Sequence, residues 1–130
     1  MYYRIMTNAK QERIKEKIEW IKEELEMMTI VRPGSLSKQY NVCGKLVCAC
    51  KDKESPKKHG PYDVLSFRHR GKNRTEFIRK EFVEDIKEWT ADYRKLWKMI
   101  EKWVDLSIEL SKLQMKEPES ARPKIVRRRS

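Results

Sequence analysis

Between residues 8 and 31, Ile14, Ile18, Ile21, Leu25 and Met28 recur at alternating steps of four and three among Lys, Arg and Glu. That spacing predicts an amphipathic helix with one narrow apolar seam. Asn8 and Gln11 are spaced as a capping box at its start, and Arg32-Pro33-Gly34 is expected to stop it. A second pattern, from about Glu81 to Glu117, sets Phe82, Ile86, Trp89, Tyr93, Leu96, Ile100, Trp103, Ser107 and Leu110 on the same alternation. Glu81, Glu84 and Asp85 fall in its first turn, where negative charge suits the helix dipole, and Pro118 ends it. Such a helix is about 54 Å long, more than a small core covers. The first helix is expected to cover part of it as an antiparallel hairpin. Trp20, Met27, Trp97 and Val104 lie off the seams, so the remaining apolar surface points to a homodimer or a helical protein partner, or else to packing of the segment between the helices.

That middle segment changes period. In "PYDVLSFRHRGKNRTEFIRK", Leu65 and Phe67 share a face at period two, "RGKN" supplies a turn, and Thr75 and Phe77 are expected to answer from a second strand on that face. Arg68 and Arg74 would then point outward together, with Arg70 and Lys72 at the turn, giving one apolar and one strongly basic face. The expected fold class is α+β and mostly helical: a small zinc-bound loop and β-hairpin between two amphipathic helices, the second long and coiled-coil-like. Residues 1–31 form the N-terminal helix, 32–80 the loop and hairpin, 81–117 the long helix, and 118–130, "PESARPKIVRRRS", a basic tail too polar to fold alone.

Of the 130 residues, 38% are hydrophobic and 39% charged, so the buried part must be small. No run of apolar residues is long enough to span a membrane, and "MYYRIMTNAK" lacks the features of a secretion signal, so a cytoplasmic protein is expected. The net charge of +11 is uneven. Residues 31–80 carry 13 basic and 4 acidic side chains, against 5 and 6 in 8–30 and 7 and 9 in 81–117. A field concentrated in that way suits a nucleic acid. Its expected contacts are Lys45, Lys51, Lys53, Lys57 and Lys58 in the loop, Arg68, Arg70, Lys72 and Arg74 in the hairpin, and Arg127, Arg128 and Arg129 in the tail. A two-stranded ribbon suits the major groove of DNA, with structured RNA as the alternative. The acids sit mainly on helices as solvated i,i+4 partners, and no glycine-rich phosphate loop or activated nucleophile is recognisable, so no enzyme is expected.

Cys43, Cys48, Cys50 and His59 have the spacing C-x4-C-x-C-x8-H. Three thiolates and an imidazole are a common structural zinc set, and four protein ligands leave no open position for chemistry. Lys45, Lys51 and Lys53 would offset the charge of about −1 that three thiolates leave on the ion. His69 is the rival fourth ligand, with Asp52 and Asp63 as outsiders; three unligated thiols and iron–sulfur or redox chemistry are the other readings.

"GSLSKQYNVCGKLVCACK", followed by "HGPYDVLSF" and "GKNRTEFI", resembles a family of small, functionally uncharacterised prokaryotic proteins. Its pattern is G-S-L-x-x-x-Y-x-x-C-G-K-x-x-C-x-C, then H-G-P-Y, a short hairpin and a helix, over roughly residues 32–110. The resemblance implies that Cys43, Cys48, Cys50 and His59 belong together, and it implies a loose association with mobile elements. It supplies no activity. Asp63 stands where the pattern usually has a second tyrosine after Tyr62.

Overall fold

A computed structural model describes residues 2–41 and 59–118, with side chains from 8 to 40 and from 59 to 118. The architecture is α+β: helix α1 (Tyr2–Glu26), strands β1 (Ser35–Asn41), β2 (His59–His69) and β3 (Lys72–Ile78), a 3-10 turn (Lys80–Phe82) and helix α2 (Val83–Met115). The strands form one antiparallel sheet in the order β1-β2-β3. The chain divides into two compact units, Met1–Thr29 with Leu96–Ser130, and Ile30–Lys95.

In the first unit α1 follows the predicted seam. Ile14, Ile18 and Ile21 are buried with Met99 and Leu106, and Leu25, Met28, Trp103, Leu110 and Leu113 pack around them. The helices run antiparallel, since Lys10 pairs with Glu109 at 3.4 Å while Lys22, further along α1, lies over the earlier Trp103 ring. Two expectations are corrected. Gln11 caps nothing: α1 already runs from Tyr2, and Gln11 is buried within it, its Nε2 donating to Glu117 Oε1 at 2.7 Å. The helix ends at Glu26, short of Arg32, because Thr29, Ile30 and Val31 are a β-branched run that disfavours helix. Met28 N–H closes the end on the Leu25 carbonyl at 3.1 Å. On α2 the buried stripe is also shifted. Met99 and Leu106 face the core, whereas Leu96 and Ile100, expected there, are only half-buried.

In the second unit the buried residues are Val64, Leu65, Ile86 and Thr90. Thr90 is tolerated because its hydroxyl donates back to the Ile86 carbonyl at 2.8 Å. Leu36, Leu65 and Glu76 stand opposite one another across the sheet. A cleft lined by Leu36, Lys38 and Asp63 on one side and Val83, Glu84 and Lys87 on the other sets the first turns of α2 over that face. Gly34, just before β1, lies close against β2. It has φ +123°, and a Cβ there would lie 2.7 Å from the Ser66 carbonyl oxygen. The "GSL" of the sequence pattern is thus a glycine pressed on β2 followed by the first residues of an edge strand.

Candidate nucleic-acid interface

The β2–β3 ribbon closes through a two-residue turn. Arg70 and Gly71 have φ of 51° and 78°, the left-handed pair of a type I′ hairpin. His69 therefore faces Lys72, Arg68 faces Asn73 and Phe67 faces Arg74. This turn is shorter than the expected "RGKN", and its length changes which residues share a face. Arg74 stands with Leu65, Phe67 and Glu76, while Arg68 stands on the other face with Tyr62, Val64, Ser66, Thr75 and Phe77. The single basic face expected from Arg68 and Arg74 together is replaced by cations on both faces and at the apex.

The carboxylates of the sheet do not cancel this charge. Glu76 is engaged by Arg32, whose two terminal nitrogens reach its oxygens at 3.3 and 3.2 Å. The Arg32 guanidinium also lies 5.0 Å from the Phe67 ring centre. Asp63, largely buried, has Lys38 at 3.9 Å. From Phe67 to Thr75 the chain holds no acid. Arg68, Arg70, Lys72 and Arg74 are all exposed, and none has an acidic partner among the described residues. Their positive field is directed into solvent.

Sequence reasoning missed two features. The edge strand β1 stands where a loop is expected, its alternation of Leu36, Lys38 and Tyr40 being short and interrupted by polar residues. Phe77, expected on the inner apolar face, is 63% exposed and meets Tyr62, 42% exposed, edge to face at a centroid distance of 6.0 Å. The parity set by a two-residue Arg-Gly turn would have placed it there.

Of the expected zinc ligands, His59 begins β2, half-buried and opposite Asn41, the last residue of β1. The ladder thus holds Asn41 and His59 side by side. His69 ends β2, about 33 Å from His59 along the strand. Cys43, Cys48 and Cys50 lie outside the described residues, as do Lys45, Lys51, Lys53, Lys57, Lys58, Arg127, Arg128 and Arg129. Gly60, next to His59, has φ +124°, and a Cβ would lie 2.8 Å from the Gln39 carbonyl oxygen, so the glycine of "HGPY" is required by the close β1–β2 approach.

The chain is similar to no curated protein and to no solved structure at a significant level. Residues 11–88, from the start of the α1 seam through the sheet to the first turns of α2, match one family over more than half of the chain. This protein belongs to the family described as a domain of unknown function, DUF6788.

Proposed function

We propose that the chain is a zinc-stabilised nucleic-acid-binding protein whose β2–β3 ribbon is the main contact, with duplex DNA as its target. The observation that carries this reading is the charge distribution of the ribbon. Four exposed cations surround a turn with no acid between Phe67 and Thr75, while Glu76 and Asp63 are matched by Arg32 and Lys38. A ribbon with Arg68 on one face, Arg74 on the other and Arg70 at the apex suits insertion between two phosphate backbones. Zinc held by Cys43, Cys48, Cys50 and His59 would stiffen segment 42–58 and bring its lysines to the same polyanion. The pairing of Asn41 with His59, the residues that flank the cysteines in the chain, supports His59 over the distant His69 as fourth ligand. A role as accessory factor of a mobile element belongs to the same proposal, on the resemblance alone.

A second reading rests on Tyr62 and Phe77. Exposed aromatic rings on a sheet face free of carboxylates suit stacking by unpaired bases, which would favour RNA or single-stranded DNA. Anisotropy titrations of labelled duplex DNA, single strands and structured RNA over a salt series test both. Replacing Arg68, Arg70 and Arg74 together by Ala should weaken binding and flatten the slope of log K against log salt on duplex by about 2.7, three phosphates at about 0.9 each. Single-strand preference lost on Phe77→Ala would select the second reading. Weak binding to every probe, indifferent to the triple substitution, would leave a protein-interaction scaffold and refute both.

A further inference from the structure

α2 carries more apolar surface than α1 covers. At about 100° per residue, Met99, Trp103, Leu106, Leu110 and Leu113 occupy one sector facing α1. Lys98, Glu101, Lys102, Asp105, Glu109 and Lys112 occupy a second sector, so every charge of residues 96–115 falls within about 100° of arc. Trp97, Ile100, Val104, Ile108, Ser111 and Met115 occupy a third, within about 80°. Trp97 is 50%, Val104 51%, Ile108 49% and Met115 68% exposed.

We propose that this third sector is a self-association face whose occupant is the same face of a second copy, packed antiparallel. Three observations select that partner. First, the surface is self-complementary. Ile100, Val104 and Ile108 form a ridge at steps of four, and a groove lined by Trp103, Ser107 and Ser111 runs beside it, so each copy can seat its ridge in the other's groove. Second, a chain of net charge +11 repels its copy through any basic face, and this sector holds no charge. Third, the rim is matched in one orientation. Glu101 and Lys112 lie at the same edge of the sector, both exposed and without an ion partner among the described residues. An antiparallel pair centred near residue 106 sets Val104 beside the second copy's Ile108, and Glu101 beside the second copy's Lys112, twice. A parallel pair would set this charged edge against the uncharged opposite edge of the second copy, leaving Glu101 and Lys112 unmatched.

Half-exposed Trp97 alone offers about 100 Å², and the stripe reaches roughly 400 Å², within the range of functional apolar patches on monomers. Two such faces with their rims bury about 1,000 Å², at the low end for a specific interface, so the dimer should be weak and concentration-dependent. Sedimentation of nuclease-treated, polyanion-free full-length protein should show a monomer–dimer equilibrium in the micromolar range. Val104→Glu should abolish the dimer with helical circular dichroism unchanged. Glu101→Lys should weaken it several-fold, and adding Lys112→Glu should restore it. Dilution of the unsubstituted protein should red-shift tryptophan emission, a shift that Trp97→Phe removes. A monomer at every concentration, a dimer indifferent to Val104→Glu, or failure of the charge swap to rescue would overturn the proposal.

Discussion

Two glycines with positive φ give a sharp test of how the sheet is built. Gly34 and Gly71 have φ of +123° and +78°. At Gly34 an added Cβ would meet the Ser66 carbonyl oxygen at 2.7 Å, Leu65 Cδ1 at 2.9 Å and Phe67 Cβ at 2.9 Å; at Gly71 it would meet nothing within 4 Å. Alanine at 71 therefore incurs only left-handed backbone strain, about 1 kcal/mol. Alanine at 34 incurs strain in a region only glycine populates, about 1–3 kcal/mol, and overpacking against β2 of about 1–3 kcal/mol more. The closest of those atoms is backbone oxygen, which cannot rotate away as a side chain can. A central figure of about 4 kcal/mol corresponds to roughly 700-fold faster exchange of β2 amides that open with the sheet, at about 1.4 kcal/mol per factor of ten. Hydrogen–deuterium exchange of peptides spanning 59–78 measures it. Equal effects of Gly34→Ala and Gly71→Ala, or none at Gly34, would refute the packing of Gly34 on β2.

In the helical unit, Ile21→Ala should cost about 3 kcal/mol, from lost transfer energy plus a cavity, whereas half-buried Ile100→Ala should cost about 1 kcal/mol or less; thermal melts followed at the helix signal compare them. A double-mutant cycle on Gln11→Ala and Glu117→Ala should give a coupling of about 1 kcal/mol, and additive effects would remove their hydrogen bond from the account. Protein purified without added metal should contain about one zinc per chain by elemental analysis. Cys48→Ser and His59→Ala should lower that content, and His69→Ala should not.

The sequence exposed whatever was periodic and local. The α1 seam was legible to the residue because Ile14, Ile18 and Ile21 sit among charges that leave no second apolar face but Trp20. On α2 two apolar stripes lie side by side, so the pattern was equally consistent with a line through Leu96 and Ile100 and one through Met99 and Leu106. Only the position of α1 chooses between them. The hairpin was legible as a pair of strands, but the side of each residue depended on whether the turn takes two residues or four. One residue of register moves Phe77 from core to solvent. The edge strand β1 was the least legible, because Ser35–Asn41 holds only Leu36 and Tyr40 as apolar residues and owes its state to pairing with β2.

The turn itself carries a tension between folding and charge. Asn-Gly is the sequence that a type I′ turn favours, since asparagine enters the left-handed region at little cost while most side chains resist it by about 1 kcal/mol. Here Arg70 occupies that position at φ 51°. The ribbon thereby keeps a cation at its apex and gives up some of the rigidity that the best turn residue would provide. Selection for a more stable scaffold would replace Arg70 with asparagine and remove a positive charge from the tip; selection for polyanion contact would hold the strained arginine in place. The residue found at that one backbone position in related chains therefore registers which of the two demands has prevailed.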